Sequence, residues 1–391
     1  MQQQYKILVL GGYGNFGQYI SRSLAANARI HLYIAGRSVP KADVLKRSLQ
    51  TTVGEHAAVS TVELDINNAN FANKLRELAP DLLINATGPF QQQDYQVAQA
   101  CINNGIHYID LADSREFVAG IKILDADAIK NNVCVISGAS SVPGLSSAVI
   151  HHYAAEFSQV DSVGYGISPG NQTDRGVATV EAILSYTGRH FQTWVDGKYT
   201  TVFGWQNCRR YDFGKPLGRR WMANCNIPDL SLFPEYFPTI KNVNFQAGLE
   251  LTVLHLAMWI MSWLSRIRLV KSWAVYAKPI TQLSRLFQRF GTDDGGMFVR
   301  LTGHRDKKPY AVSWQLVALD GYGPRIPAVA AIILATKFAA GILPVCGARP
   351  CIGLFSLPEF FDVVKEWPIV EQIQRNDGSN GSEKCILQAP V

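Results

Sequence analysis

A glycine pattern directly behind an apolar run constrains this chain more than any other feature. Lys6 to Leu10 reads as a short buried strand, and Gly12-x-Gly14-x-x-Gly17 follows it at once. Phe16, Ile20 and Leu24 then recur every four residues, so a helix opens at the end of the glycine turn. In such a strand–turn–helix unit each glycine has a task. Gly12 permits the tight turn, Gly14 lets a pyrophosphate approach the backbone, and Gly17 lets the helix pack on the sheet. The helix N-terminus adds free N–H groups and the positive end of its dipole. The spacing therefore implies a site for a dinucleotide's phosphates.

The next 120 residues repeat the same grammar. Short apolar runs at 30–35, 59–64, 82–85, 108–111 and 133–137 alternate with helical stretches, including one with Pro40 near its first turn. That alternation predicts a doubly wound parallel sheet with helices on both faces, the Rossmann arrangement. After about Ala139 the alternation breaks at Ser140-Ser-Val-Pro-Gly144. Asp196-Gly197 marks one hairpin, and Asp306-Lys-Lys-Pro309 another. The fold class is therefore α/β: an N-terminal parallel sheet plus a second α/β domain with a mixed sheet. At 391 residues the chain is also longer than one hydrophobic core usually serves.

Twenty residues after Gly17, where an NAD enzyme places an acid for the ribose 2′-hydroxyl, stand Gly36-Arg37-Ser38. Arg37 would pair with a 2′-phosphate and Ser38 could donate to it, so NADP(H) is expected, with NAD(H) the lesser alternative. Asp65, at the end of the third strand, is placed to reach an adenine edge or to cap its own turn. Asn85-Ala86-Thr87-Gly88-Pro89 ends the fourth strand, at the sheet edge where open α/β folds bind ligands. Thr87 and Gly88 would line the cofactor there.

Asp110 sits at the carboxyl end of the fifth strand. It is a candidate proton carrier or substrate contact, or a structural carboxylate. Arg209, Arg210, Lys215, Arg219 and Arg220 interleave with Trp205, Tyr211, Phe213 and Trp221. Arg209 and Arg210 are candidates for an anionic substrate; a solvated strand face is the other reading. No His, Cys and carboxylate cluster has metal spacing, and no Gly-x-Ser-x-Gly elbow is present.

The chain is 47% hydrophobic and 17% charged, with a formal charge of +6 and seven scattered cysteines. This suits a reduced, cytoplasmic globular protein with a small-molecule partner, anionic or apolar. It does not suggest a nucleic-acid binder. The N-terminus lacks a basic segment leading into an apolar one, so no signal peptide is expected. The apolar segment 249–270 is interrupted by Glu250, His255, Arg266 and Arg268, too often for a membrane span of ~20 residues. Trp259 and Trp263 lie one turn apart in it. Core packing, a homodimer interface, an acyl-chain wall or contact with a membrane surface are its possible uses.

Taken together, Gly11-Gly-Tyr-Gly-Asn-Phe-Gly17, Ala35-Gly-Arg37, Asn85-Ala-Thr-Gly-Pro-Phe90, Tyr108-Ile-Asp110 and Val142-Pro-Gly-Leu145 resemble the saccharopine dehydrogenase-like oxidoreductases. The resemblance covers roughly residues 5–150. It implies that Gly12, Gly14, Asn15, Phe16 and Gly17 hold pyrophosphate and that Arg37 holds the 2′-phosphate. It also implies that Thr87, Gly88 and Pro89 lie on the nicotinamide side, with Asp110 and the turn Val142-Pro143-Gly144 facing a cleft. In that family C-terminal elements complete the first domain. Residues 1–138 with 326–375 are thus expected to form the dinucleotide domain, 139–325 the second domain, and 376–391 a disordered tail. The resemblance further implies hydride transfer at a C–N bond of an amino-acid-derived substrate. Alternatives are an acyl- or enoyl-chain reductase, or a non-catalytic dinucleotide sensor or scaffold.

Overall fold

A computed structural model describes residues 4–54, 57–91, 93–173, 176–377 and 385–388. They form two compact units, residues 1–147 with 325–363, and residues 148–324 with 364–391.

In the first unit, six strands follow the glycine pattern's own rhythm: β1 (Tyr5–Leu10), β2 (Ile30–Gly36), β3 (Val59–Glu63), β4 (Leu82–Asn85), β5 (His107–Asp110) and β6 (Cys134–Ser137). They pair in the order β3-β2-β1-β4-β5-β6, and Gly347–Pro350 adds a seventh strand beside β6. Every pairing is parallel. The strand order reverses between β1 and β4, which makes the carboxyl ends of these two strands the switch point of the sheet. Ile7, Leu8, Val9, Leu82, Leu83 and Ile84 are fully buried, as strands covered on both faces must be. The helix Ile326–Ala339 is apolar on nearly all sides and packs against the helix Gly17–Ala25, hence its near-complete burial.

The second unit is built on a ten-stranded mixed sheet. Along its main path run Arg209–Asp212, Arg219–Asn224, Asn242–Leu249, Gln159–Ser168, Gly295–Arg305, Lys308–Ala318, Ile369–Asn376 and Cys385–Gln388. Only Asn242–Leu249 against Gln159–Ser168 is parallel. The hairpin His190–Val195/Lys198–Phe203 turns at Asp196 and Gly197, with φ of 49° and 73°. The long hairpin Gly295–Arg305/Lys308–Ala318 turns at Asp306 and Lys307, with φ of 51° and 65°. Paired positive φ values match the strands' own twist, which is why both turns need only two residues. The second turn is tighter than the four residues read from sequence; Pro309 belongs to the strand.

Three boundaries differ from the sequence reading: residues 139–147, expected in the second domain, belong to the first unit. Residues 364–375 do not complete the first sheet: Ile369–Asn376 pairs antiparallel with Lys308–Ala318 in the second. Within 376–391, Cys385–Gln388 pairs with Ile369–Asn376 as a strand rather than a loose tail, while 378–384 and 389–391 lie outside the described residues. Strand partners this distant in sequence leave no local signal.

Candidate functional site

The glycine turn joins β1 to the helix Gly17–Ala25. Gly11 stands at φ 76°, and its N–H and that of Gly12 both donate to Ala35 O, at 2.9 and 3.1 Å. This hooks the turn onto the end of β2. A Cβ on Gly17 would sit against Gly11 O and 2.8 Å from Gly12 Cα, so only glycine lets the helix start so close to the strand. A Cβ on Gly12 would meet Val9 O at 2.8 Å. Gly14 differs: a Cβ there would meet Gly11 O at 3.0 Å and no side chain, so the loop is open on that side. Ser21 Oγ, fully buried, donates to Gly12 O at 2.9 Å and locks the first turn of the helix under the loop. That turn carries no acidic residue to neutralise the helix dipole. Asn15 and Phe16 are half-buried in the same turn.

Arg37 and Ser38 stand at the end of β2, beside this loop. Arg37 is exposed and makes no ion pair among the described residues. Tyr13, whose role the sequence did not signal, reaches over from the glycine turn. Its hydroxyl accepts the Ser38 N–H at 2.9 Å, and a Cβ on Gly36 would come within 2.6 Å of its ring. Asp65 is half-buried, and its Oδ1 accepts the Asn67 N–H at 3.0 Å, the turn-capping alternative.

At the end of β4, Asn85 is buried and organises the turn that follows. Its Oδ1 accepts from Thr87 N at 3.0 Å and from Thr87 Oγ1 at 2.5 Å, while its Nδ2 donates to the Tyr108 hydroxyl at 3.2 Å. Gln93 Nε2 donates to the carbonyls of Thr87 and Pro89, at 2.6 and 3.0 Å. A Cβ on Gly11 would lie 3.0 Å from Thr87 Cγ2, so the glycine loop and the β4 turn are immediate neighbours. Ala86, Thr87 and Pro89 are half-buried and Gly88 is exposed. The structure thus gathers Gly12, Gly14, Gly17, Arg37, Ser38 and Thr87 at the carboxyl ends of β1, β2 and β4. Backbone donors, an open helix N-terminus and an unpaired guanidinium together fit a dinucleotide with a 2′-phosphate.

Other expected site residues are placed differently. Asp110 is fully buried. Its Oδ1 accepts from Ala112 N at 2.9 Å, Ser137 Oγ at 2.9 Å and Gly138 N at 2.8 Å, which ties the end of β5 to the end of β6. Burial pushes its carboxyl up to about 6, although these three hydrogen bonds pull the other way. Through Oδ1 it ties two strand ends together, from a position with no exposed surface. Pro143 and Gly144 do not face outward either. Both are buried, and a Cβ on Gly144 would meet Ala330 Cβ at 3.2 Å and Phe355 Cε1 at 3.4 Å.

In the second unit, Arg209 and Arg210 are exposed on the edge strand, and the Arg210 guanidinium lies 4.6 Å from the centre of the Trp221 ring. That is a solvated, edge-protecting arrangement. The buried member of the basic cluster is Arg220. It donates to Ser168 O at 3.0 Å and Asp294 O at 3.1 Å, and pairs with Glu250 at 3.5 Å. No group of metal-ligating side chains is present among the described residues.

Residues 7–135 match the family model described as the saccharopine dehydrogenase NADP binding domain. The saccharopine dehydrogenase-like oxidoreductase of Rattus norvegicus is 26% identical over 154 residues, and that of Homo sapiens 25% over 154. In both cases the alignment spans 36% of this chain and 36% of the relative, little more than a third of either length. Among solved structures, an amine dehydrogenase from Mycobacterium smegmatis aligns over 90% of this chain and 95% of its own, at 12% identity and a TM-score of 0.46. A putative NADPH-dependent oxidoreductase from Desulfitobacterium hafniense aligns over 100% of this chain and 83% of its own, at 11% identity and a TM-score of 0.41. With the switch-point glycine loop, the unpaired Arg37 and this match, residues 7–135 form a dinucleotide-binding domain of the saccharopine dehydrogenase NADP-binding type.

Proposed function

We propose that this chain is an NADP-dependent oxidoreductase that transfers a hydride to or from a C–N bond of an amino-acid-derived substrate. The observation that carries the cofactor part is Arg37, an exposed guanidinium with no ion pair among the described residues, at the end of β2, where residues 36–38 are Gly-Arg-Ser and include no acid to repel a 2′-phosphate. Bound there, NADPH would supply the hydride. The chain's own residues would do the holding. The turn N–H groups and the helix N-terminus would take the pyrophosphate, Arg37 and Ser38 the 2′-phosphate, and Thr87, Gly88 and Pro89 the nicotinamide half. The C–N chemistry is supported by the family match of the N-terminal domain. The reading includes a cytoplasmic homodimer. The described cysteine side chains are all unbridged, as a reducing compartment requires.

A second reading, reduction of an acyl or enoyl chain, is favoured by one specific observation. The second unit contains a cavity of about 370 Å³ lined by Val180, Leu184, Met258, Met261 and Ile280 with Trp205 at one wall. Such a space takes hydrocarbon. Turnover separates the readings. NADPH oxidation that requires an amine together with a 2-oxo acid supports the first, and oxidation with an enoyl or acyl thioester supports the second. Tight NADPH binding with no turnover on either panel would leave a sensor or scaffold.

A further inference from the structure

Residues 251–292 contain no acidic residue and six basic ones, Arg266, Arg268, Lys271, Lys278, Arg285 and Arg289. All six are exposed. The segment forms the helix Thr252–Arg266, a turn, and the helix Ala277–Arg285. The first helix buries His255, Met258 and Ser262. Its outward side should then be polar, and it is not. Val253, Leu256, Trp259, Ile260, Trp263 and the adjoining Ile267 are 38 to 59% exposed. At one turn per 3.6 residues these six fall within about 120° of arc. The following turns continue the pattern, with Leu269 71%, Val275 76% and Leu286 68% exposed.

An apolar face of this extent on a folded domain marks a surface made to meet something. Its composition narrows what that is. The Trp259 and Trp263 rings pack edge to face at 6.3 Å, and the Arg266 guanidinium lies 4.8 Å from the Trp263 ring centre. Tryptophans flanked by cations on an otherwise aliphatic face suit the headgroup level of a bilayer. No described helix is long and apolar enough to cross a membrane. A second copy of the same face would bring six cations against six, with no carboxylate in either segment to offset them.

We propose that residues 252–290 dock this protein onto the surface of an anionic lipid bilayer. The helix Thr252–Arg266 lies in the interfacial plane, its apolar arc enters the acyl boundary, and the six cations meet anionic headgroups. This docking does not depend on which reaction the chain catalyses.

The test is flotation of the full chain with vesicles of phosphatidylcholine alone and of phosphatidylcholine mixed with phosphatidylserine. Binding is expected to the mixed vesicles and to weaken as salt is raised. Arg268→Ala, Lys271→Ala and Arg289→Ala combined should lower partitioning on the order of a hundredfold, at about fivefold per cation. Trp259→Ser with Trp263→Ser should abolish stable binding while leaving the circular dichroism spectrum unchanged, since both side chains are partly exposed. Independently, phospholipids brominated on the acyl chain should quench the wild-type fluorescence, and Trp259→Phe with Trp263→Phe should remove that quenching. The proposal fails if the wild type does not float with mixed vesicles, or if neither substitution set changes flotation. It also fails if the serine variants convert a dimer to a monomer without any lipid binding to lose, since the face would then be a self-contact.

Discussion

The Tyr13 hydroxyl accepts the backbone N–H of Ser38 at 2.9 Å, so one side chain of the glycine turn braces the loop that carries Arg37. This bond holds two parts of the dinucleotide site in register. Tyr13→Phe keeps the ring against Gly36 and removes only the acceptor. One neutral hydrogen bond contributes about 1 kcal/mol, so the dissociation constant for NADPH should rise roughly fivefold with little change in melting temperature. Titration of the intrinsic fluorescence with NADPH would check it. Unchanged affinity would mean that the brace is irrelevant to the site.

Arg37→Ala separates the two nicotinamide cofactors. A charge-assisted contact to a 2′-phosphate is worth about 2 kcal/mol, so NADPH should bind about thirtyfold more weakly while NADH affinity stays level. Equal losses for both cofactors, or none for NADPH, would remove Arg37 from the 2′-phosphate site. Calorimetric titration of both cofactors against both proteins decides.

At Gly17 the obstruction is backbone, not side chain. An added methyl would meet Gly11 O and stand 2.8 Å from Gly12 Cα, and neither atom can swing away. Gly17→Ala should therefore displace the turn, abolish measurable dinucleotide binding and lower stability by about 1–3 kcal/mol. Retained NADPH binding would show that the turn has slack that the geometry denies.

These features were legible because they are local. The glycine spacing, the strand before it and the helix after it lie within twenty residues, and the parallel alternation is written as apolar runs. What the sequence hid is a matter of register and distance. Arg219 and Arg220 are neighbours, yet their side chains are 72% and 2% exposed, because successive strand residues face opposite sides and one step of register chooses between them. Asp110 could be read as a proton carrier, a substrate contact or a structural carboxylate, because its partners Ser137 and Gly138 at the end of β6 leave no signal near it in sequence. The strand Ile369–Asn376 finds its partner some sixty residues back, so no nearby pattern announces it.

The burial of Asp110 has a measurable sign. Its carboxyl is raised from 3.8 to about 6, so the folded state disfavours the ionised form and carries that penalty above about pH 6. Asp110→Asn does not titrate, and its carbonyl can still accept from the three donors. As pH falls from 7 to 4 the wild type should therefore gain on this variant, by up to about 3 kcal/mol. Urea unfolding of both proteins across that range measures the difference. A gap moving the other way would mean that the three donors hold the carboxylate ionised.

His255 titrates in the same window with the opposite sign. It is fully buried in the second unit, its ring 5.5 Å from that of Trp205 and its Nε2 3.6 Å from Cys208 Sγ, with Nδ1 facing the Leu249 N–H at 3.5 Å. Burial lowers its pKa from 6.5 to about 4, since an imidazolium there would lose its water. A depressed histidine contributes stability that is complete above pH 6.5 and is lost as pH falls toward 4. The whole effect is about 3 kcal/mol. His255→Asn keeps an acceptor for the Leu249 N–H and cannot be protonated in this range. The wild type should therefore lose stability relative to this variant between pH 6.5 and 4. Because His255 anchors the helix Thr252–Arg266, the loss should be visible in tryptophan fluorescence from Trp205, Trp259 and Trp263 before the first unit melts. Parallel curves for the two proteins would show that water reaches the ring and that the burial account is wrong.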